Sequence, residues 1–133
     1  MLPYRIVLAN HHVPLRECLR RILGERSDLE VIGEAGDSTQ LLHLLSLYKL
    51  VPQLVILDPS IPDFKGIEMI RKVKTIHPGI KVLILSMHRD KEYLSQAILE
   101  GAEGYLIKET VDKELLPAIE TIMRGRLYVP PFP

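Results

Sequence analysis

The sequence predicts an α/β fold in which five parallel strands form one sheet with helices on both of its faces. Five short runs rich in Val, Ile and Leu recur along the chain, and segments with helical spacing of apolar residues lie between them. The first, third and fourth runs are almost continuously apolar, which is typical of strands buried on both faces. The predicted strands are Tyr4–Ala9, Leu29–Ala35, Leu54–Leu57, Lys81–Ser86 and Gly104–Ile107.

Apolar residues at steps of three and four predict five helices that alternate with these strands. Such steps return to one side of a helix, so each segment offers an apolar face to the sheet. Pro14 suits the first turn of the first helix, where a missing N–H costs little, and Pro117 is expected in the first turn of the last. The face residues are Leu15, Cys18, Leu19, Ile22 and Leu23; Leu41, Leu44, Leu45 and Tyr48; Ile67, Ile70 and Val73; Tyr93, Leu94, Ala97 and Ile98; and Leu115, Leu116, Ile119, Ile122 and Met123.

Strict alternation of strand and helix with right-handed crossovers predicts a doubly wound, flavodoxin-like (βα)5 domain. The chain has 133 residues, 47% of them hydrophobic, which suffices for one compact core. Gly125 after Arg124 is typical of a helix end, and the proline-rich stretch that follows cannot continue a helix. We therefore expect one domain over residues 1–126 and the start of a linker over 127–133.

Charge and cysteine content exclude several classes of function. The 17 basic residues balance the 17 acidic ones, so no net field draws this domain to nucleic acid, an anionic membrane or an acidic substrate. A single cysteine, Cys18, excludes an intramolecular disulfide and a thiolate metal cluster, and we expect it in the core. No eighteen apolar residues run together and the N-terminus lacks a cleavage signal, which predicts a cytoplasmic protein without membrane contact.

Polar side chains that suit phosphoryl chemistry follow the predicted strands. Asp58 follows the third strand, Ser86 ends the fourth and Lys108 follows the fifth. In doubly wound sheets the carboxyl ends of the strands form the ligand site. A carboxylate can attack phosphorus, while a hydroxyl and an ammonium stabilise the charge on its oxygens. The sequence therefore predicts that these three residues converge in one pocket with Asn10, His11 and His12, which follow the first strand.

Three segments, in order and at characteristic separations, carry a resemblance to a known family. They are Val55–Gly66, Val82–His88 and Glu100–Lys108. Along nearly its whole length the chain resembles the receiver domain of response regulators, and within that family the NarL/LuxR-type transcription regulators. The resemblance implies a two-component signalling domain that is not an enzyme.

The resemblance also assigns roles to residues. It implies that Asp58 is the phosphoacceptor, Ser86 the hydroxyl that follows the phosphoryl group and Lys108 its cationic partner. Tyr105 matches the switch aromatic, whose ring moves between exposed and buried positions, and the backbone carbonyl of Ser60 matches a ligand of Mg²⁺. The implied partners are a sensor histidine kinase, a second copy of the chain in a homodimer, and DNA only through a helix-turn-helix domain beyond the linker.

One departure from the family pattern concerns the metal. Members usually have an acidic pair after the first strand, and this sequence has Asn10 and His11 instead. Mg²⁺ prefers hard carboxylate oxygens and water, whereas an imidazole suits softer metals. Asp58 with Lys108 sums to about zero charge, against about −2 for three carboxylates and a lysine. Mg²⁺ binding is therefore expected to be weak or absent, and Pro59 removes a further N–H beside the acceptor.

These observations leave several functions open. The leading hypothesis is a receiver that shifts between two packings of residues 92–124 and regulates an attached DNA-binding domain. The alternative is a phosphorylation-independent dimerisation or docking module, in which Asp58 is an inert loop carboxylate paired with Lys108. A transition-metal site of His11, His12 and Asp58 is disfavoured, because adjacent histidines seldom point at one centre. A flavodoxin-like enzyme is disfavoured by the absence of a glycine-rich cofactor loop.

Overall fold

The computed structural model describes residues 2–47, 51–60, 68–87 and 89–130, and it contains one sheet of five parallel strands. With the strands numbered in chain order, their spatial order is β2-β1-β3-β4-β5. The chain therefore winds in one direction from β1 to β2 and in the other direction from β1 through β3 to β5. All five predicted strands are confirmed with their predicted bounds. They are β1 (Tyr4–Ala9), β2 (Leu29–Ala35), β3 (Leu54–Leu57), β4 (Lys81–Ser86) and β5 (Gly104–Ile107).

Five helices cover both faces of the sheet and confirm the doubly wound fold. The helices α2, α3 and α4 pack on one face around a core that includes Leu41, Val73 and Ala97, whereas α1 and α5 pack on the other around Leu19 and Leu115. Both faces of the central strands are thus removed from water, which explains their continuous apolar sequence. The helices are α1 (Val13–Leu23), α2 (Ser38–Ser46), α3 (Glu68–Ile76), α4 (Lys91–Leu99) and α5 (Val111–Met123).

The helix ends follow local sequence signals. Pro14 lies in the first turn of α1 as predicted. The carboxylate of Asp90 accepts a bond of 3.0 Å from the backbone N–H of Tyr93 and so caps α4. After α5, Gly125 has a φ of 81°, and its N–H donates to the carbonyl of Ile122 at 2.9 Å. This left-handed residue turns the chain back toward the sheet.

Two sequence-based expectations about the helices were wrong. Pro117 lies well inside α5 and not in its first turn, because a 3-10 turn over Lys108–Thr110 leads from β5 directly into a helix that begins at Val111. Cys18 is half-buried at the margin of the core and not within it. Tyr48 and Ile67, predicted on apolar helix faces, lie outside the described residues. Within the described ranges, the helices are too short or too polar to traverse a bilayer.

Candidate functional site

Asp58 lies at the carboxyl edge of the sheet, directly after β3, and both of its carboxylate oxygens are engaged. The residue is 1% exposed, and its N–H donates to the carbonyl of Ala9 at 2.9 Å. Oδ2 accepts a bond of 2.7 Å from the Lys108 ammonium. Oδ1 accepts two bonds from Ser60, at 2.9 Å from the backbone N–H and at 2.7 Å from the hydroxyl. A buried carboxylate is tolerated here because charge and hydrogen bonds satisfy it.

A cavity of 310 Å³ opens beside this carboxylate and is lined by three of the six residues that the sequence placed together. Asp58, Ser86 and Lys108 all border it, as the positions of their strands require. Its other lining residues are Pro59, Ser60, Met87 and Tyr93. A larger and more open cavity of 780 Å³ lies along α3, away from this set. The carboxyl edge therefore presents a carboxylate, a hydroxyl and an ammonium to one space.

Tyr105 lies in the middle of β5 with its side chain directed into the core. It is fully buried, and its ring packs edge-to-face on Tyr93 with 6.3 Å between ring centroids and 69° between planes. Burial raises the pKa of the Tyr105 phenol, while a hydrogen bond with Ser86 acts in the opposite direction. Burial likewise raises the pKa of Tyr93, with smaller contributions from Tyr105 and Asp58. The aromatic pair thus connects the cavity to β5 through Ser86.

Asn10, His11 and His12, which the sequence placed in the same pocket, are not among the residues that line this cavity. Asn10 is 2% exposed, and its Oδ1 accepts a bond of 2.7 Å from the backbone N–H of His12. This bond fixes the amide orientation, since an N–H can donate only to the oxygen. The amide nitrogen of Asn10 is buried without a hydrogen-bond partner among the described residues. The side chains of His11 and His12 are exposed.

These donors do not fit Mg²⁺ as they are arranged. The cation prefers oxygen ligands that include one or two carboxylates. Among the described residues, Asp58 is the carboxylate that lines the cavity and Lys108 balances its charge, while Asn10 Oδ1 already accepts from the His12 N–H. Across the described residues, no three His, Cys, Asp or Glu side chains are grouped closely enough to hold a metal ion. The exposed imidazoles of His11 and His12 give no support to a transition-metal site.

Sequence reasoning missed the hydroxyl of Ser60. It assigned only the Ser60 carbonyl, whereas the side chain is the group that contacts Asp58. The local pattern Asp-Pro-Ser carried a usable signal, because aspartate side chains commonly accept from the backbone N–H two residues later in a turn. The lining role of Met87, which is 75% exposed, and that of Tyr93 were also missed. Met87 follows β4 outside any helix, where no periodicity applies, and the helical spacing that placed Tyr93 on an apolar face does not show that it borders a cavity.

The fold and this edge define a doubly wound α/β domain with a carboxylate, a hydroxyl and an ammonium beside one cavity, and comparison with known proteins specifies the family. The family model of the response regulator receiver domain matches residues 6–120. The chain therefore belongs to the response regulator receiver domain family. It is a receiver domain of two-component signal transduction, a class whose members generally act as regulators.

Individual relatives agree with this assignment. The transcriptional regulatory protein DegU of Brevibacillus brevis is 32% identical over 127 residues, which are 96% of this chain and 53% of the relative. The non-phosphorylated receiver domain of RcsB from Escherichia coli superposes with a TM-score of 0.90 at 26% identity, covering 97% of this chain and 99% of that one. A LuxR-family response regulator from Aurantimonas sp. SI85-9A1 superposes with a TM-score of 0.86 at 32% identity, covering 95% and 89% of the two chains.

These relatives confirm the predicted resemblance to NarL/LuxR-type regulators and the flavodoxin-like receiver fold. The chain spans about half the length of the curated relative DegU. The roles of Asp58, Ser86, Lys108, Tyr105, Asn10 and Ser60, and the boundary after residue 126, stay predictions.

Proposed function

We propose that this chain is a metal-poor receiver in which Asp58 is the phosphoacceptor but reacts slowly. The observation that carries the proposal is that both carboxylate oxygens of Asp58 are hydrogen-bonded, one to Lys108 and the other to Ser60. Phosphorylation requires an Asp58 oxygen to attack phosphorus while the bond from phosphorus to the donor's leaving group breaks. An oxygen that donors already hold in place is less nucleophilic, because these bonds stabilise its negative charge. This adds to the barrier of the reaction.

Charge balance supports the same proposal. A phosphoryl group is anionic, and a receiver with an acidic pair offsets its approach with a bound dication. Here Asp58 and Lys108 form a neutral pair, so little field remains to retain Mg²⁺. Lys108 and Ser86 are then the groups available to stabilise the phosphoryl oxygens. We infer that Mg²⁺ binding is weak or absent and that phosphorylation depends mainly on these two side chains.

The proposed output is regulation of a DNA-binding domain. DegU is a transcriptional regulatory protein, and a solved structure shows two RcsB dimers bound to two parallel DNAs. By family, we propose a sensor histidine kinase as the input partner, homodimerisation, a cytoplasmic location, and DNA contact only through a domain beyond residues 127–133. The switching elements would be α4, β5 and α5, with Tyr105 as the aromatic that changes position. In this role the domain regulates and does not turn over a substrate.

A second candidate function is a docking module that does not depend on phosphorylation. The observation that favours it is that Tyr105 is already fully buried against Tyr93 while Asp58 is paired with Lys108. A domain held in one packing can still dimerise or dock an effector. The two candidates differ in whether chemistry at Asp58 moves Tyr105.

The experiment compares Mg²⁺ affinity in the wild type and in an Asn10→Asp, His11→Asp double variant. The chain has no tryptophan, so calorimetry or NMR is the suitable readout. We expect the double variant to bind Mg²⁺ at least about tenfold more tightly, because it restores carboxylate ligands. His12→Asp, which adds charge at an exposed neighbouring position, is the matched control and should change little. Equal affinity in wild type and double variant would refute the account of the pocket.

Beryllofluoride then separates the two candidate functions. A regulated receiver should show shifted β5 signals in the wild type, and Asp58→Asn should abolish the shift. A docking module should respond in neither form while it retains its dimer or effector contact. The response of the double variant serves as the positive control for a working pocket.

A further inference from the structure

The segment that follows α5 returns to the sheet and lies against the edge of β5. After the left-handed turn at Gly125, Tyr128 forms a parallel bridge with Gly104. The Tyr128 N–H donates to the carbonyl of Glu103 at 3.0 Å, and the Tyr128 carbonyl accepts from the N–H of Tyr105 at 3.1 Å. This exit segment, residues 124–130, is therefore hydrogen-bonded through its backbone to Tyr105, the proposed switch aromatic.

Gly104 in β5 leaves room for the side chains that pack around it. A Cβ built on Gly104 would lie 2.8 Å from the terminal side-chain carbons of both Ile122 in α5 and Leu83 in β4. A larger residue would force these side-chain ends to shift, because such a contact is closer than carbon atoms tolerate. The glycine thus lets α5, which precedes the returning chain, pack closely on β5.

The side chain of Tyr128 makes a second attachment. Its hydroxyl donates to Glu114 Oε1 at 2.6 Å, and the other Glu114 oxygen accepts from the Thr110 hydroxyl at 2.6 Å. Thr110 ends the 3-10 turn that begins with Lys108. Glu114 thus joins the exit segment, through α5, to the turn that holds the cation of the pocket.

We propose that Tyr128 is a latch that couples the packing of β5 and the turn at Lys108 to the position of the exit segment. Its backbone is hydrogen-bonded to the main chain of Tyr105, and its hydroxyl is connected to the turn at Lys108 through Glu114 and Thr110. A shift of either element changes the bonds that hold the segment. This device goes beyond the proposed function, since it transmits any change in β5 irrespective of what causes that change.

The first measurement is amide hydrogen exchange in the wild type and in Tyr128→Phe, with the Tyr105 rate expressed relative to the core amide of Val7. The substitution keeps the ring and removes the hydroxyl bond. We expect relative exchange at Tyr105 to rise about five- to tenfold, because a net hydrogen bond is lost from the latch. Tyr4→Phe is the control: Tyr4 packs against the same hydrophobic core as Tyr128, and loss of its hydroxyl should leave the ratio unchanged. Glu114→Gln keeps an acceptor oxygen and should give a smaller effect in the same direction, and it carries the test if Tyr128→Phe does not fold.

The second measurement asks whether the latch is coupled to the switch or only fastens the segment. With fluorotyrosine incorporated, the ¹⁹F signals of Tyr105 and Tyr93 should shift in Tyr128→Phe or Glu114→Gln, while the Tyr4 signal stays in place. Coupling is reciprocal, so a change made at the segment must be felt at β5. Faster exchange at Tyr105 with unmoved ring signals would overturn the proposal, as would an unchanged exchange ratio.

Discussion

Two lysine–carboxylate pairs lie at opposite edges of the same sheet, and their surroundings differ. At the amino edge, where the strands begin, the Lys74 Nζ and Glu103 Oε2 atoms are 2.6 Å apart. Backbone groups bond both side chains: Lys74 donates to the Ile80 carbonyl at 3.1 Å, and Glu103 accepts from the Val82 N–H at 2.8 Å. At the carboxyl edge, the Lys108–Asp58 pair is completed by Ser60 and borders a cavity.

The difference indicates which pair is structural and which can act. Backbone groups of a packed strand cannot move without disturbing the sheet, so the amino-edge pair fastens α3 to the start of β4 and β5. A serine in a loop and a lysine in a turn can exchange partners at small cost. Burial also differs: the Asp58 side chain is 1% exposed and that of Glu103 is 19% exposed. The carboxyl-edge carboxylate is therefore more dependent on its cation than the amino-edge one.

The largest expected effect is that of Lys108→Met, which leaves Asp58 buried without its cation. We expect a loss of about 2 to 3 kcal/mol in the free energy of unfolding, below the full value for a buried pair because Lys108 is partly exposed. Urea denaturation at neutral pH measures it. The double variant Asp58→Asn, Lys108→Met should recover most of the loss, since no charge is then left unpaired. The Asp58→Asn single variant completes the cycle, and a double-variant loss equal to the sum of the two single losses would mean that the pair carries no net coupling.

Breaking the amino-edge pair should cost less and leave the pocket unaffected. Glu103→Gln removes the charge but keeps an acceptor for the Val82 N–H. We expect about 1 kcal/mol of destabilisation, because the pair is partly exposed and Lys74 keeps its bond to Ile80. NMR shifts at Asp58 and Lys108 should not change. A perturbed pocket in this variant would contradict the separation of the two edges.

The sequence was informative where burial imposes a pattern and uninformative where single contacts decide. All five strands have their predicted bounds, because strands covered on both faces need continuous apolar runs. Asp58, Ser86 and Lys108 share a cavity because parallel strands end at one edge. By contrast, nothing in a spacing rule shows that the Ser60 hydroxyl binds Asp58.

The late part of the chain illustrates the same limit. Pro117 was predicted near a helix start, since prolines favour that position. In the structure the 3-10 turn begins nine residues earlier, at Lys108, and α5 begins six residues earlier, at Val111. The proline-rich end predicted a linker, and composition alone gives no sign that Tyr128 pairs with Gly104. Such contacts depend on the tertiary path of α5, which local patterns do not encode.

A smaller effect is expected at Ser60, whose hydroxyl bonds the Asp58 carboxylate where backbone groups bond the Lys74–Glu103 pair. Ser60→Ala removes the hydroxyl bond to Asp58 but keeps the backbone N–H bond. We expect a loss of about 0.5 to 1 kcal/mol in the free energy of unfolding. If Asp58 is the phosphoacceptor, its labelling by acetyl phosphate should become faster, because one oxygen is less restrained. Ser95→Ala, at an exposed position in α4, is the matched control. Slower labelling of Ser60→Ala would mean that the hydroxyl assists the reaction.

The smallest effect concerns the Tyr128–Glu114 bond, where a carboxylate pairs with a phenol and not with a cation. Burial first, and then the hydrogen bond and charge of Glu114, raise the pKa of Tyr128 to about 12. The fold thus favours the protonated phenol, so this contribution to stability is complete below pH 10 and disappears as pH rises toward 12. In an ultraviolet titration of tyrosinate, Tyr128→Phe should reduce the transition near pH 12 by the amplitude of one tyrosine, and Glu114→Gln should move that part of it toward 10. Burial also raises the pKa of Tyr4, Tyr93 and Tyr105, so the amplitude is the readout. An undiminished transition in Tyr128→Phe would assign it to those tyrosines and remove the bond from the account of the latch.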